Sequence, residues 1–493
     1  MVHGSAIDDF LCSTTVPIPK GRNVNLTVSE NYRGITLSSV FGRIFDLIVL
    51  NRYSDKLESC ELQFGFKQNR STAMCSMIAK EVIAYYTSCH TSVHCVFLDS
   101  SKAFDKIHYG KLFKLLLNRD IPPYVIRVLL NMYTDQQIRV LWNGKYSTCF
   151  SVNNGVKQGA IVSPILFCVY LDVLLSELQK AGLGCFIGTW FAAALAYADD
   201  LILMAPSARA MRGMLAICDK FAKEYSVTFN NNKSKCITFH YSKAGRDACA
   251  PLPSFAIGGN AIENVDRWPH LGHVFNACFT DDDDILARRT SFIGQANSFF
   301  CNFPMLDVET KNSLFKVYCS SHYGSELWNL TNTNLEVYCI AWRKSLRRLW
   351  SLPYNSSQLS TALTSLTIPL FDEICRRVTN FIYSCLHCDS RFIRSIVLHG
   401  IQVSRANSPI GRNAAFCSLH FDTHINNLFD TKLSSYYCFA RFKSKLSTDL
   451  VARANALREA ILIRDGSFVF SSVNHLSIND LNFLIESLAV NLN

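Results

Sequence analysis

The sequence predicts an α+β protein in which strands and helices alternate over the first half and helices alone follow. Short apolar runs such as VHCVFLD (93–99), typical of buried strands, alternate with helical segments up to about residue 276. From the acidic run Asp281–Asp284 onward, the hydrophobic period is helical almost to the end. Hydrophobic residues make up 49% of the 493 residues and charged residues only 18%, which excludes a largely disordered protein.

Charge and cysteine content indicate the class of partner and the compartment. The chain has 49 Lys and Arg against 39 Asp and Glu, a net charge of +10 that suits a nucleic-acid partner without proving one. The 20 cysteines are scattered singly and are expected to be reduced thiols. The longest uncharged apolar stretch, residues 183–198, is shorter than the roughly 20 residues of a spanning helix. We expect a nuclear or cytoplasmic protein that is neither secreted nor in a membrane.

The first elements are predicted from turn residues and helical periodicity. Residues 1–30 are rich in Pro, Ser, Thr and Asn and predict a loop. Residues 35–58 predict an amphipathic helix that packs through one apolar face, formed by Ile35, Val40, Phe41, Ile44, Phe45, Ile48 and Val49. Further helices are expected over 72–86, 109–118 and 123–134. The dipeptide Asn143-Gly144 predicts a hairpin turn.

The next elements follow from a helix start and from a second hairpin. Ser163-Pro164 predicts a helix with Ser as N-cap and Pro at the first position, running to about Lys180. The segment AAALAYADDLILMA (192–205) predicts two apolar strands with Asp199-Asp200 at their tip. Residues 207–225 predict an amphipathic helix whose inward side chains are Met211, Leu215, Cys218, Phe221 and Tyr225.

Two adjacent aspartates between buried strands require an explanation. Burying a carboxylate costs free energy even after relaxation, and two neighbouring carboxylates repel each other. Asp99 ends another predicted buried strand, so Asp99 and Asp199 could share divalent metal ions if the two strands are neighbours about 4.8 Å apart. Two such ions about 3.5–4 Å apart catalyse in-line phosphoryl transfer. The alternative is that Asp199-Asp200 is simply a hydrophilic hairpin turn.

Five segments in order carry a family resemblance: FLDSSKAFDKI (97–107), NNGVKQGAIVSPILF (153–167), YADD (197–200), FNNNKSK (229–235) and HLG (270–272). The series resembles the motifs of reverse transcriptases, above all those of non-LTR (LINE-type) retrotransposons. ENYRGITL (30–37) and LQFGFKQNRST (62–72) resemble that family's fingers motifs. A weaker likeness to jockey-like elements continues through AWRKSLRRLWSLPYN (341–355). The implied fold is a right-hand polymerase with fingers, ferredoxin-like palm, helical thumb and a helical C-terminal extension.

The resemblance also implies a division of the chain. We expect an N-terminal remnant over 1–15, the reverse transcriptase domain with fingers and palm over 16–276, a helical thumb over 277–370 and a helical extension over 371–493. Full-length elements of this type carry an endonuclease on the N-terminal side, and only about 15 residues precede the first motif here. We therefore expect an N-terminally truncated element.

The resemblance assigns roles to matching residues. Asp99, Asp199 and Asp200 match the metal-binding carboxylates for two Mg²⁺ ions, with Mn²⁺ as a possible substitute. Phe104 matches an aromatic steric gate that excludes a 2′-hydroxyl and so selects deoxynucleotides. Lys233 matches the lysine proposed to protonate the leaving pyrophosphate, with an ordinary surface lysine as the alternative. Gln158 and Gly159 match an element that touches template and incoming nucleotide.

Two sets of cations are candidates for binding phosphate. The chain has no G-x-x-x-x-G-K-[ST] loop, so Arg33, Lys67 and Arg70 of the fingers motifs are the candidates for the triphosphate, Arg70 matching the family pattern best. The second set lies on one face of a helix, opposite three apolar side chains, and is expected to contact the nucleic-acid backbone: Arg343, Lys344, Arg347 and Arg348. For both sets the alternative is a solvated charged face.

The predicted function is an RNA-directed DNA polymerase whose partners are an RNA template, a DNA primer and dNTPs. The alternative is a catalytically silent RNA-binding relic of a retroelement. A zinc site could also be drawn from Cys385, His387, Cys388, Cys417 and His420, although the long gap between its halves makes it the weaker interpretation. The sequence leaves the oligomeric state open.

Overall fold

The protein is described by a computed structural model that covers residues 11–21, 24–100, 103–242 and 252–464. The chain forms two compact units, Met1–Leu271 and Gly272–Asn493. The first unit combines sheets and helices, and the second is helical after one short strand. The predicted α+β class is confirmed.

The first unit is built around two sheets. In chain order it contains β1 (Cys12–Pro19), β2 (Tyr32–Ser38), α1 (Val40–Arg52), α2 (Ser54–Leu57), α3 (Thr72–Ser88), β3 (Val93–Leu98), α4 (Tyr109–Asn118), α5 (Pro123–Thr134), β4 (Gln137–Trp142), β5 (Lys145–Tyr146), β6 (Phe150–Ser151), α6 (Ser163–Ala181), β7 (Phe186–Ile187), β8 (Trp190–Phe191), β9 (Ala194–Tyr197), β10 (Asp200–Ala205), α7 (Ala208–Tyr225), β11 (Lys235–Phe239), β12 (Phe255–Ile257), β13 (Asn260–Asn264) and β14 (Arg267–His270). The predicted helices over 72–86, 109–118, 123–134 and 207–225 are confirmed, as are both hairpins.

The larger sheet has the strand order β12-β13-β11-β3-β10-β9. Its central strand β3 is buried at every residue, since helices α3, α6 and α7 pack against the sheet. The five side chains predicted to point inward from α7 are all buried: Met211, Leu215, Cys218, Phe221 and Tyr225. This sheet is the core of the first unit.

The smaller sheet corrects the prediction of a loop over residues 1–30. Strand β1 pairs antiparallel with β2 from Ser13 to Pro19 and parallel with β4 from Cys12 to Thr15. Pro17 and Pro19 lie beyond the stretch that pairs with β4, where a missing N–H costs nothing on that side. Strand β1 is therefore stabilised by its pairing with β2 and β4, and the local sequence pattern does not predict it.

The predicted helix over 35–58 is also corrected. Residues up to Ser38 belong to β2, and α1 begins at Val40 after Ser39, whose hydroxyl accepts a hydrogen bond from Gly42 N–H at 3.1 Å. Phe45 is buried as expected, but much of the predicted apolar face is exposed: Val40, Phe41, Ile44 and Ile48. The helix instead turns Asp46 inward, because that carboxylate binds backbone N–H groups at the start of α6.

The prediction that Ser163 is an N-cap is wrong. Ser163 is the first residue of α6, and its hydroxyl shares a hydrogen bond with the Tyr133 hydroxyl at 3.1 Å. The N–H groups of Ile161 and Val162 donate to Asp46 Oδ2 at 3.1 and 3.4 Å. Asp46, distant in sequence, therefore holds the backbone just before α6, and no described side chain caps the first N–H groups of the helix.

The second unit is helical as predicted, as far as residue 464. It contains β15 (His273–Asn276), α8 (Asp282–Asn302), α9 (Val308–Cys319), α10 (Asn334–Leu349), α11 (Gln358–Thr364), α12 (Leu370–Leu386), α13 (Arg391–Gln402), α14 (Pro409–His420), α15 (Ser435–Ser444) and α16 (Thr448–Arg464). The rest of the expected extension, 465–493, lies outside the described residues. Across the described ranges, no helix combines the length and apolarity needed to cross a membrane.

Candidate active site

Three aspartates meet at one end of the larger sheet. Strands β9 and β10 are joined by a tight turn, in which Tyr197 pairs with Asp200 and Ala198 has a left-handed φ of 56°. Strand β3 pairs antiparallel with β10, with Leu98 opposite Leu201, so Asp99 leaves the sheet beside Asp200. The expectation that the two aspartate-bearing strands are neighbours is confirmed.

A cleft of about 1150 Å³ opens in front of these carboxylates. Six of the predicted site residues line it: Arg33, Asp99, Phe104, Gln158, Asp199 and Lys233. Asp200, Gly159, Lys67 and Arg70 do not belong to its lining. The structure therefore brings together residues from five separate segments of the sequence.

The carboxylates carry an electrostatic cost. Burial raises the pKa of Asp199, and the charge of Asp99 raises it further, while Arg33 and Lys233 lower it. Burial and the charges of Asp199 and Asp99 raise the pKa of Asp200 to about 6. Proton or cation binding relieves this repulsion.

The donor chemistry suits a hard divalent cation. Carboxylate oxygens are the ligands that Mg²⁺ prefers. A bound Mg²⁺ ion would relieve the mutual repulsion of the Asp99, Asp199 and Asp200 carboxylates. As placed in the described part of the chain, no three His, Cys, Asp or Glu side chains form a group that could hold a metal ion. The metal set therefore remains a prediction.

The turn over residues 230–234 fixes Lys233 beside Asp99. Asn230 N–H donates to the carbonyl oxygen of Asp99 at 2.7 Å, and Asn230 Oδ1 accepts from the N–H groups of Asn232 and Lys233. Lys233 Nζ lies 3.9 Å from Asp99 Oδ2, and its side chain is 65% exposed. This position is compatible with a proton donor at the cleft and with an ordinary surface lysine.

The Phe104 ring is held on two sides. It stacks on Phe167 with centroids 4.8 Å apart and meets Phe66 edge-on at 6.4 Å. The loop before α6 contacts the backbone of Phe104, since Val156 N–H donates to Phe104 O at 2.8 Å. Gly155 has a φ of +85°, and a Cβ there would lie 2.8 Å from Phe104 O. The ring at the cleft wall is therefore held in place by its neighbours.

Strand β2 holds the Gln158-Gly159 element. Thr36 N–H donates to Gln158 O at 2.6 Å. Gly159 has a φ of +114°, and a Cβ there would lie 2.7 Å from Thr36 O, so only glycine fits this approach. The side chain of Gln158 lines the cleft.

Lys67 and Arg70 bind their own segment rather than the cleft. Lys67 Nζ donates to the carbonyl oxygens of Ser59 and Cys60 at 2.5 and 2.8 Å. Arg70 is paired with Glu61 at 2.9 Å, and its side chain is only 7% exposed. Their role at the triphosphate remains a prediction, and of the three candidate cations Arg33 is the one that lines the cleft.

Two residues that support the site, Asp46 and Gln63, were not predicted from the sequence. Asp46 is buried and holds the backbone before α6, and Gln63 is fully buried beside the turn at Ala198. A polar residue inside an apolar stretch, as Gln63 is between Leu62 and Phe64, is the signal that could have found them.

The four basic residues predicted to contact nucleic acid lie on α10 of the second unit. Their helix has the expected opposite face, because Trp342, Leu346 and Trp350 are buried. All four cations have partners within the unit. Arg343 pairs with Glu336 at 2.6 Å, and Arg347 donates to the carbonyl of Ser356 at 3.0 Å. Lys344 and Arg348 are exposed, and their charged groups lie 6.0 Å from the Tyr354 ring centroid and 4.4 Å from the Phe300 ring centroid. Contact with nucleic acid remains a prediction for all four.

The alternative zinc site is not formed. His387 Nδ1 lies 2.9 Å from the carbonyl of Tyr383, and His420 Nε2 lies 2.9 Å from Asp372 Oδ1. Throughout the ranges that the structure describes, no suitable group of three ligands is found. Both histidines have other partners within the helical unit.

Comparison with known proteins gives a consistent set of likenesses. The family model described as "Reverse transcriptase (RNA-dependent DNA polymerase)" matches residues 18–275. The chain is 29% identical over 269 residues to the Pol polyprotein of the type-2 retrotransposable element R2DM of Drosophila melanogaster, covering 53% of this chain and 25% of that protein. It is 23% identical over 431 residues to the RNA-directed DNA polymerase from mobile element jockey of Drosophila funebris, covering 82% and 44%.

A solved structure also resembles this chain. Telomerase from Candida tropicalis, in complex with a TWJ fragment of telomeric RNA, is 12% identical with a TM-score of 0.41, and the match covers 99% of this chain and 65% of that one. The chain spans only part of these two retroelement proteins: 25% of the length of the first and 44% of the length of the second.

Proposed function

Because this chain belongs to the reverse transcriptase (RNA-dependent DNA polymerase) family, we propose that it extends a primer with dNTPs on an RNA template, as part of a non-LTR retroelement. One observation carries the proposal. Asp99 and Asp199 come from different strands, line the same cleft and are close enough for the charge of Asp99 to raise the pKa of Asp199. A phosphoryl-transfer site needs such a convergence of carboxylates.

The carboxylates of Asp99 and Asp199, with Asp200 beside them, would hold two Mg²⁺ ions or Mn²⁺ in their place. Such ions lower the pKa of an attacking hydroxyl and neutralise charge on leaving phosphate oxygens. The protein supplies oxygen ligands whose repulsion disfavours the unmetallated, fully ionised state.

The cleft walls would bind and select the nucleotide. The stacked ring of Phe104 would pack against the sugar, where a 2′-hydroxyl would collide with it. Arg33 would bind phosphate oxygens, and Gln158 would contact the nascent base pair. Lys233 Nζ, which lies 3.9 Å from Asp99 Oδ2 at the cleft, would donate a proton to the leaving pyrophosphate.

The wider assignments follow from the same proposal. An RNA template and a DNA primer suit the net charge of +10. The unit that begins at Gly272 would supply the thumb over 277–370 and the extension from 371, with the cations of α10 along the nucleic-acid backbone. A nuclear or cytoplasmic location would give access to both nucleic acids.

Primer extension by the purified chain tests the proposal. A DNA primer annealed to an RNA template is incubated with dNTPs and Mg²⁺, for the wild type and for Asp199→Asn. We expect extension by the wild type and a loss of at least about a thousandfold in the variant, because the amide is a poor metal ligand. Asp55→Asn, the same change at an exposed position in α2, should extend like the wild type.

The alternative function, a silent RNA-binding relic, predicts a different result. Wild type and Asp199→Asn would then bind the primer–template equally, and neither would extend it with Mg²⁺ or Mn²⁺. That outcome would refute the polymerase proposal.

A further inference from the structure

A short segment runs along the outer side of the strand that leads into the aspartate turn. Phe64 N–H donates to Ala196 O at 2.8 Å, and Ala196 N–H donates to Leu62 O at 2.9 Å. These two hydrogen bonds fix the segment in register with β9. Gln63, between Leu62 and Phe64, is thereby placed next to the turn that carries Asp199.

The amide of Gln63 holds both polar groups of the Ala198 backbone. Ala198 N–H donates to Gln63 Oε1 at 2.9 Å, and Gln63 Nε2 donates to Ala198 O at 3.3 Å. The same Oε1 accepts from Gly65 N–H at 2.8 Å, and the side chain of Gln63 is fully buried. One side chain therefore fixes the residue immediately before Asp199 on both sides.

The held residue has an unusual backbone. Ala198 adopts a φ of 56°, a left-handed conformation that residues with a Cβ rarely adopt. Gly65 lies so close that a Cβ on it would be 2.3 Å from Ala198 N. The segment 63–65 therefore packs against this two-residue turn with both its side chain and its backbone.

We propose that Gln63 is a positioning residue for the active site: its amide keeps Ala198 left-handed and so aims the Asp199 carboxylate into the cleft. The inference rests on the proposed polymerase function. Gln63 touches neither substrate nor metal in this assignment and acts only through the Ala198 peptide. Loss of the amide would let the turn relax and move the carboxylate away from its partner Asp99.

Gln63→Met removes the amide at nearly constant volume. We expect kcat for primer extension to fall on the order of 100-fold, the cost of misplacing a reacting group by about 1 Å, with KM for dNTP changed less than about threefold. Mn²⁺ binding to the nucleotide-free protein, followed by electron paramagnetic resonance, should weaken about tenfold. A purely structural role would change neither kcat per folded molecule nor Mn²⁺ affinity.

A matched control exists in the second unit. Asn413 is also a buried amide that binds backbone, accepting from Leu330 N–H at 3.2 Å and donating to Trp328 O at 2.8 Å. Asn413→Leu should lower the melting temperature and leave kcat and Mn²⁺ affinity at wild-type values. Should Gln63→Met fail to fold, Gln63→Leu removes the same amide with a shorter apolar side chain. We expect it to show the same losses of kcat and Mn²⁺ affinity.

The outcomes separate this inference from the function on which it rests. If the wild type extends primers and folded Gln63 variants match it in kcat and Mn²⁺ affinity, the positioning role is refuted while the polymerase stands. If the wild type does not extend primers, the proposed polymerase function is refuted. A weaker Mn²⁺ affinity in Gln63→Met would even then support the positioning role of Gln63.

Discussion

Replacing Asp46 by asparagine tests how the start of α6 is held. Asp46 lies on α1 with 4% exposure, and its Oδ2 accepts hydrogen bonds from Ile161 and Val162 N–H. Burial raises its pKa from 3.8 to about 6, against the opposing effect of those two hydrogen bonds and of Lys157. The carboxyl is therefore protonated in the folded protein at a pH where it is ionised in the unfolded chain.

The size of the effect follows from the two pKa values. A difference of about 2 units corresponds to about 3 kcal/mol, by which folding favours the protonated form. Because the folded pKa is the higher one, this stabilisation is complete below about pH 4 and is lost as pH rises through about 6. The asparagine does not titrate, so its stability relative to the wild type should improve by about 2.5 kcal/mol between pH 4 and pH 8, since the unfolded carboxyl is already partly ionised at pH 4.

Urea unfolding followed by circular dichroism, in EDTA across pH 4–8, measures this difference. Taking the difference between variant and wild type cancels other groups that titrate in the same range, including Asp200. Asp389→Asn, at an exposed position, should give a difference that does not depend on pH. A flat difference for Asp46→Asn, within about 0.5 kcal/mol over the whole range, would refute the assignment of a buried, titrating carboxyl.

Three further predictions concern the cleft wall, the cations and the helical unit. Phe104→Ala should raise rNTP incorporation relative to dNTP at least about tenfold in competition assays, and an unchanged ratio would exclude the gate. Arg33→Ala should raise KM for dNTP about tenfold or more, whereas Arg70→Ala, which breaks the ion pair with Glu61, should leave KM unchanged and lower the free energy of unfolding by about 1.5–3 kcal/mol; the reverse result would assign the phosphate to Arg70 instead of Arg33. Trp328→Phe removes the 2.7 Å hydrogen bond to buried Asp284 and should destabilise the protein by about 1–3 kcal/mol in urea unfolding, and a change below 0.5 kcal/mol would contradict this.

The parts of the fold that the sequence predicts well are those in which local pattern and burial agree. The apolar run before Asp99 predicted a buried strand and the paired aspartates ended another, and the pairing of these two strands supplies the condition on which their convergence depended. Helix α7 was equally clear, since one apolar stripe faces one neighbouring layer.

The errors arose where a distant residue supplies the missing interaction. Strand β1 exists because β2 and β4 pair with it, and α1 is rotated because Asp46 reaches the backbone before α6. Arg70 is likewise held by tertiary contacts, since its guanidinium is paired with Glu61 and lies 5.6 Å from the Phe64 ring centroid, although its role at the triphosphate stays a prediction. None of these partners can be identified from spacing along the chain, because each is set by tertiary packing.

The full burial of β3 gives the strand that leads to Asp99 a natural reporter. Cys95 lies in the middle of β3 and Cys236 in the adjoining β11, both with no exposed surface, and burial raises the pKa of each thiol. Alkylating reagents attack the thiolate, so these two sulfurs should resist labelling until the strands separate. The rate of labelling at Cys95 and Cys236 can be measured by mass spectrometry on the wild-type protein. It therefore reports how often β3 and β11 separate next to the aspartates.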